Sequence, residues 1–276
     1  MIGTPKHLPE RRFFKLTNLT ERHNSLQYIT GLNTDRLPFN PTGECSPGGL
    51  YFFDETQLKY FFRYTGGDIV HIREVTFPLD TRIYCEKGKY KCDKFVLGER
   101  KKFYFDEYVS KDSVLAAIQQ DGRVLRYVKV QTPELGLAAV QQYGWALEYV
   151  KVQTPEICLA AVQQRGWALE YVKVQTEEIC LAAVKKNGRA LKYVKEQTTE
   201  ICLAAVQQNG YALQFVKDQT PEICLEAVKQ DGGALQWVEE KTQSSVKKDG
   251  RKIIFKFGVS TITASVKTCV SQSLPS

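Results

Sequence analysis

Between Ser113 and Thr242 the apolar residues recur in blocks of 22 with a helical spacing inside each block. In one block, Ile157 and Ala161 stand four residues apart, as do Cys158 and Val162, which predicts an amphipathic helix. The following stretch has room for only about two helical turns before the next block begins. Each block therefore predicts a pair of short helices, and a strict period of this length is typical of stacked repeat units.

The ends of the first helix in each block are marked by recurring residue types. Thr154 is a suitable N-cap, Pro155 fits the first helical position, and Glu156 favours the positive end of the helix dipole. Gly166 is expected to close this helix in a left-handed conformation. Glycine and threonine recur in every block, at Gly122, Gly144, Gly166, Gly188, Gly210, Gly232, and at Thr132, Thr154, Thr176, Thr198, Thr220 and Thr242.

The predicted fold class is mainly α, an α-helical solenoid of six helix-pair repeats with a small α+β domain before it. We place the N-terminal domain at 1–110, the repeats at 111–242, and a degenerate cap with a basic tail at 243–276. In the N-terminal domain, 69–77, 82–85 and 90–97 have the composition of strands, and 55–64 that of an amphipathic helix. Residues 244–250 read as a shortened polar copy of the repeat helix, and 252–267 as either a strand or an ordered tail.

Charge and cysteine usage restrict the function. The net charge of +7 divides into +3 for residues 1–110, −1 for 111–242 and +5 for 243–276, so the repeats are close to neutral. We expect them to lack the basic stripe of a solenoid that tracks phosphates. Cys158, Cys180, Cys202 and Cys224 recur one per repeat without metal-ligand spacing, which favours small buried hydrophobes. We expect no cofactor, no metal site and no membrane span, and a reducing intracellular location.

One column of the repeat varies while the framework around it does not. The residue after each glycine is Arg123, Trp145, Trp167, Arg189, Tyr211 or Gly233. Trp, Tyr and Arg are the residues that anchor protein interfaces, so Trp145, Trp167, Arg189 and Tyr211 are candidate partner-binding residues. The alternative is that these side chains form a hydrophobic lid on the following helix. A second, nearly uniform column predicts packing inside and between repeats: Tyr127, Tyr149, Tyr171, Tyr193, Phe215 and Trp237.

The repeat unit, Thr-Pro-Glu-Ile-Cys-Leu-Ala-Ala-Val-x-x-x-Gly-x-Ala-Leu-x-Tyr-Val, resembles a short helical repeat of uncharacterised function that is abundant in proteins of giant DNA viruses. The segments Phe14-Lys-Leu-Thr, 45–52 and 94–100 look like the module that precedes repeat arrays in such proteins. The resemblance implies a viral protein of the host cytoplasm or the virion, and it implies no reaction.

An enzyme alternative rests on a second resemblance. The segment 49–54, Gly-Leu-Tyr-Phe-Phe-Asp, is similar to the Gly-x-Tyr-Phe segment of ADP-ribosyltransferases, and His23-Asn24-Ser25 lies upstream, where that family has its nicotinamide-binding histidine. The family would use His23 and Tyr51 to hold NAD, together with a glutamate, for which Glu99 and Glu107 are candidates. Asn24 departs from the usual glycine, and we expect this region to be inactive.

Nucleic-acid contact is the third class considered. A basic cluster near the C-terminus could touch phosphates without sequence preference. Its members are Lys247, Lys248, Arg251, Lys252 and Lys256, with Phe255 and Phe257 between them. A solvated cap and tail explains the same residues. The sequence thus predicts a non-catalytic scaffold for protein–protein interaction, with a protein partner of unknown identity.

Overall fold

A computed structural model describes residues 2–23, 26–42, 47–57, 69–86, 89–239, 246–249, 252–257 and 260–265. The chain divides into two compact units. The first unit comprises residues 1–117 with 127–130, and the second comprises 118–126 with 131–276.

The first unit is built on an antiparallel nine-stranded sheet. Its strands run in the order β1-β8-β9-β6-β2-β7-β10-β5, with β11 also paired to β7. Their bounds are β1 Ile2–Gly3, β2 Phe13–Thr17, β5 Gly31–Thr34, β6 Leu50–Asp54, β7 His71–Thr76, β8 Ile83–Glu86, β9 Lys89–Cys92, β10 Lys94–Leu97 and β11 Lys101–Lys102. A separate two-stranded sheet pairs β3, Arg22–His23, with β4, Leu26–Gln27.

The interior of this unit combines aromatic rings with buried charge. Phe13, Phe52 and Tyr90 meet at ring-centroid distances of 5.3–5.6 Å. Beside them, Arg73 and Glu21 form a buried ion pair joined by two hydrogen bonds of 2.8 Å. The carboxyl pKa of Glu21 is lowered, chiefly by its hydrogen bond with Arg73. A carboxylate buried in this way is tolerated because its lone pairs are satisfied.

The strand predictions for this unit agree with the structure, with one difference. The predicted strand 90–97 is two strands, β9 and β10, separated by Asp93. The predicted helix 55–64 begins as a 3-10 turn at Glu55–Gln57, and its remainder lies outside the described residues. In the described part of 1–110, helical structure is limited to such 3-10 turns.

Six α-helices follow, each succeeded by a six-residue 3-10 helix, so that the period of 22 is one helix pair. We number the repeats 1 to 6, at 110–131, 132–153, 154–175, 176–197, 198–219 and 220–241. The α-helices are α1 Lys111–Gln120, α2 Pro133–Gln142, α3 Pro155–Gln164, α4 Glu177–Lys186, α5 Thr199–Gln208 and α6 Pro221–Gln230. The 3-10 helices are Gly122–Tyr127, Gly144–Tyr149, Gly166–Tyr171, Gly188–Tyr193, Gly210–Phe215 and Gly232–Trp237.

The expected N-cap is confirmed, since each threonine from Thr132 to Thr220 accepts a hydrogen bond from the backbone N–H three residues later. The predicted left-handed glycine is wrong. Among the described residues, positive φ at glycine occurs only at Gly31, Gly48 and Gly49. A Cβ on Gly188 would instead lie closer than 3.0 Å to the carbonyl oxygen of Ala205 in the next repeat. Glycine is needed because two backbones approach closely.

The C-terminal segment is a three-stranded antiparallel sheet of β12 Val246–Asp249, β13 Lys252–Phe257 and β14 Ser260–Ser265. The prediction of a shortened repeat helix at 244–250 is therefore wrong. β13 pairs with β12 and with β14, and in β14 the residues from Thr261 to Ser265 alternate between polar and apolar with the period of two of a strand.

Candidate protein-interaction surface

The candidate surface is built on the 3-10 helices, because their first turn begins with the variable column. In a 3-10 helix, residues three apart lie one above the other. Position 2 of each 3-10 helix therefore shares a face with position 5, and each repeat presents a pair of side chains. The six pairs are Arg123/Arg126, Trp145/Glu148, Trp167/Glu170, Arg189/Lys192, Tyr211/Gln214 and Gly233/Gln236.

Of the four predicted binding residues, Arg189 is exposed, and Trp145, Trp167 and Tyr211 are half-buried. The three aromatic side chains are thus neither fully exposed to solvent nor fully buried, as a complete lid would be. Each aromatic member leans toward the following repeat. The hydroxyl of Tyr211, for example, lies over Gly233, where an added Cβ would collide with it.

Trp145 carries a cation on its ring. The guanidinium of Arg165, from the next repeat, lies 4.3 Å from the centre of the indole. The ring of Tyr143 stands edge-on to the same indole, with centroids 5.9 Å apart. Because an indole face attracts cations, this contact stabilises the Arg165 side chain on the surface.

Trp167 has different neighbours, although it occupies the equivalent position in repeat 3. Asn187 replaces the arginine, and its side-chain oxygen accepts a hydrogen bond of 3.0 Å from the backbone N–H of Arg189. The ring of Tyr193 approaches Trp167 at 5.7 Å and 70°. The two rings are thus arranged edge to face.

The uniform ring column lies beside the variable one, and its members from Tyr127 to Phe215 are half-buried, as packing between repeats predicts. For Trp237 the prediction is wrong, because this ring in the last repeat is 40% exposed. Burial raises the pKa of Tyr171, and the carboxylates of Glu148 and Glu170 raise it further. Burial also raises the pKa of Tyr193, together with the charge of Glu170 and a hydrogen bond to it. The surface of repeats 2 and 3 thus combines aromatic rings with two exposed carboxylates.

A glutamine column, which the sequence interpretation missed, joins consecutive repeats. Gln153 donates to the carbonyl oxygen of Tyr171 at 2.9 Å and accepts from the backbone N–H of Lys173 at 3.0 Å. The same two bonds recur at Gln131, Gln175, Gln197 and Gln219, at 2.8–3.0 Å. The signal was present, because these glutamines also recur every 22 residues.

A further column consists of four lysines, one per repeat, which the net charge of the repeats did not reveal: Lys151, Lys173, Lys195 and Lys217. Three of the ammonium groups donate to the backbone carbonyl oxygen of the lysine one repeat earlier, at 3.1 Å from Lys173, 3.0 Å from Lys195 and 2.8 Å from Lys217. All four are exposed. The expectation that the repeats lack a basic stripe is therefore wrong. They carry a row of lysines, whose charge is balanced in the net charge by carboxylates on the first turn of the α-helices.

The cysteine column is buried, as predicted, with exposed fractions of 0–4%. Burial raises the pKa of each thiol, to about 11 for Cys224. Each sulfur donates to the side-chain oxygen of the glutamine column, at 3.5–3.7 Å. Groups of His, Cys, Asp or Glu suited to a metal ion are absent from the described residues.

The residues of the enzyme alternative lie in different sheets. His23 is on β3 of the two-stranded sheet, whereas Tyr51 is on β6 of the nine-stranded sheet. The ammonium of Lys91 lies 5.1 Å from the Tyr51 ring. Of the candidate glutamates, Glu99 is exposed and Glu107 accepts a hydrogen bond of 2.6 Å from Lys129. Asn24 and Ser25 lie outside the described residues.

The basic C-terminal cluster falls on strands. Lys247 and Lys248 are on β12, and Lys252 and Lys256 are on β13. Arg251 lies outside the described residues. Nothing in this placement tests nucleic-acid contact, which stays a prediction. No α-helix in the described ranges is both long and apolar enough to cross a membrane.

The repeats match the model of a known protein family. A family model described as "Domain of unknown function (DUF4116)" matches residues 154–199, 176–220 and 198–243. These matches begin at the N-cap threonines of repeats 3, 4 and 5, and each covers about two repeats. No solved structure matches the chain.

Several curated proteins of Acanthamoeba polyphaga mimivirus are similar to this chain. Uncharacterized protein R869 is 33% identical over 101 residues, which cover 34% of this chain and 69% of that protein. Putative ankyrin repeat protein R868 is 34% identical over 100 residues, covering 34% of this chain and 48% of the relative. Putative ankyrin repeat protein R896 is 36% identical over 94 residues, covering 32% of this chain and 27% of the relative. The aligned part therefore spans less than half of the latter two.

Proposed function

We propose that this chain, which belongs to the family of the giant-virus protein R869 and carries DUF4116 repeats, is a non-catalytic scaffold that binds a protein partner. In this proposal the helix pairs stack as a solenoid, and the variable column with its ring neighbours is the binding surface. Two of the relatives are named ankyrin repeat proteins, which supports an interaction role. The unit of this chain, at 22 residues, is nevertheless shorter than an ankyrin repeat of about 33.

One observation carries the proposal. From repeat 2 to repeat 5 the glutamine of each repeat is bonded to the next repeat, whereas Trp145, Trp167, Tyr211 and Arg189 keep part of their surface exposed. Large aromatic side chains that stay partly exposed on a regular scaffold are the usual anchors of protein interfaces. Their partial contacts with the next repeat hold the rings in place, which reduces the entropy lost on binding.

The test is a double variant, Trp145→Ala with Trp167→Ala, compared with the control Gln163→Ala with Gln207→Ala on exposed positions of α3 and α5. We expect the tryptophan variant to remain folded by circular dichroism and to lose at least tenfold in affinity for partners that the unchanged chain captures from infected cells. Equal affinity of the two variants for those partners would contradict the proposal. A tryptophan variant that unfolds would instead support the lid.

The non-catalytic part of the proposal has its own test. Purified chain should consume no NAD and modify no protein, itself included. NAD consumption that is lost in Tyr51→Ala would overturn it, since Tyr51 is the residue on which the resemblance to ADP-ribosyltransferases depends.

We place the chain in the host cytoplasm or in the virion. The viral relatives and the buried free thiols support this location. Quantitative mass spectrometry of purified particles and of infected-cell cytosol separates the two compartments. Recovery of the chain chiefly from secreted material would contradict both.

A further inference from the structure

The rings of the second unit attract the chain's own cations. Arg165 lies over Trp145 at 4.3 Å. Arg126 lies over Tyr149 at 4.6 Å and donates to its hydroxyl at 2.6 Å. Lys192 lies 5.5 Å from the centre of the Tyr193 ring. Within the described part of the chain, no cation occupies the ring of Trp167 or of Tyr171.

The reason is a single substitution between repeats. Arg165 and Asn187 hold the same place in consecutive repeats. A Cβ added to Gly144 would lie 3.1 Å from the Cβ of Arg165, and one added to Gly166 would lie 3.1 Å from the Cβ of Asn187. From this place Arg165 reaches Trp145. Asn187 is too short to do the same for Trp167, and its oxygen is held by the backbone N–H of Arg189.

The surroundings of Trp167 are suited to a cation from outside the chain. The Tyr193 ring makes a corner with the indole at 70°. Glu170 lies three residues after Trp167, on the same face of the 3-10 helix, and its carboxylate is hydrogen-bonded with Tyr193. Glu148, from the preceding repeat, adds a second carboxylate near Tyr171.

We propose that Trp167, Tyr193 and Glu170 bind an arginine side chain of the partner protein. This inference rests on the proposed function, because it names the chemistry of the partner at the same surface. Arginine is chosen over lysine because the occupied equivalent at Trp145 holds a guanidinium, which is planar, weakly hydrated and able to stack on an indole while donating to a carboxylate. The ammonium of Lys192, at the Tyr193 ring, is a competing charge and is exposed.

The experiment uses the full chain and blocked amino acids as probes. The three tryptophans, Trp145, Trp167 and Trp237, give three indole N–H signals in a proton–nitrogen NMR spectrum, each assigned by a Trp→Phe variant. We expect N-acetyl-arginine methylamide to shift the Trp167 signal saturably. The neutral isostere N-acetyl-citrulline methylamide should leave it in place, and the lysine analogue should bind at least threefold more weakly.

Three substitutions sharpen the test, and each introduces a residue that another repeat of the chain already has at the equivalent position. Asn187→Arg should cover Trp167 and reduce its affinity for the arginine probe at least fivefold. Arg165→Asn should uncover Trp145 and make its signal respond. Lys192→Gln should strengthen arginine binding at Trp167, because it removes the competing charge.

Several results would overturn the inference: a Trp167 shift no larger than that of Trp237, an equal response to citrulline or lysine, or an Asn187→Arg variant that binds arginine unchanged. These results leave the proposed function standing if the Trp145/Trp167 double variant still loses its partners. Conversely, arginine binding at Trp167 without any effect of the double variant on partner capture would refute the proposed function alone.

Discussion

Replacing Gln197 with alanine should weaken the junction between repeats 4 and 5. The amide of Gln197 donates to the carbonyl oxygen of Phe215 at 2.8 Å and accepts from the N–H of Lys217 at 2.9 Å. A third, longer bond of 3.5 Å reaches the carbonyl oxygen of Leu191 in its own repeat. One side chain thus satisfies two backbone groups at and just after the end of the 3-10 helix Gly210–Phe215.

The expected magnitude follows from the two short bonds. Each contributes about 0.5–1.5 kcal/mol net, so their loss costs about 1–3 kcal/mol. Lys217 is exposed and Phe215 is half-buried, so water can reach the freed groups, and we expect about 2 kcal/mol. For a unit of this size that lowers the melting temperature by about 4–8 °C.

The assay is urea unfolding followed by circular dichroism at 222 nm, with Gln207→Ala as the matched control. Gln207 is an exposed residue of α5, so its replacement should change the free energy of unfolding by less than about 0.5 kcal/mol. If Gln197→Ala unfolds within 0.5 kcal/mol of that control, the glutamine column does not hold the repeats together and our account of the junction is wrong.

Three further predictions test other parts of the structure. Gly188→Ala should lower the free energy of unfolding in urea by about 1–3 kcal/mol, because the added Cβ meets a backbone carbonyl oxygen. Gly136→Ala is the control and should be tolerated, since other repeats have cysteine at this position; equal effects of the two variants would contradict the close-approach explanation. Burial raises the pKa of Cys224 to about 11, whereas Cys85 is exposed. At pH 8, Cys224 should therefore react with iodoacetamide at least a hundredfold more slowly than Cys85, and unfolding in urea should abolish the difference. Burial lowers the pKa of Lys15 to about 8, below its value in the unfolded chain, so the unfolded state binds more protons than the folded state between pH 8 and 9. The free energy of unfolding should therefore rise with pH in this range. Lys15→Met should remove this part of the rise, and an unchanged slope of unfolding free energy against pH would contradict the assignment.

The regular part of the fold was predictable because its signals are local and repeated six times. A threonine cap followed by apolar residues at helical spacing fixes where the α-helices from α2 to α6 begin, whatever the rest of the chain does. The role of the glycines was not predictable in the same way. A left-handed end and a close approach to a neighbouring carbonyl both require glycine, and only the position of Ala205 relative to Gly188 distinguishes them.

The C-terminal sheet and the candidate surface show two other limits. Residues 246–265 alternate only weakly between apolar and polar side chains, and their pairing depends on contacts between segments. The sequence therefore predicted a polar helix at 244–250 and left 252–267 open between a strand and an ordered tail. The variable column was visible in the sequence, but its neighbours were not. That Arg165 covers Trp145 and Asn187 leaves Trp167 without a guanidinium depends on the approach of one repeat to the next.

The 3-10 geometry gives the variable positions a meaning that a single column lacks. Because residues three apart share a face, the second and fifth positions of each 3-10 helix act as a pair, and the pairs differ in charge class between repeats. Repeats 2 and 3 present tryptophan with glutamate, whereas repeats 1 and 4 present two cations each. The glutamines, glycines and lysines described above make a set of contacts between repeats that does not involve the pairs. The pairs can therefore change while that set of contacts is kept. The two tryptophan–glutamate repeats are consecutive and lie between the two cationic ones, so the charge of the pairs changes sign twice from repeat 1 to repeat 4.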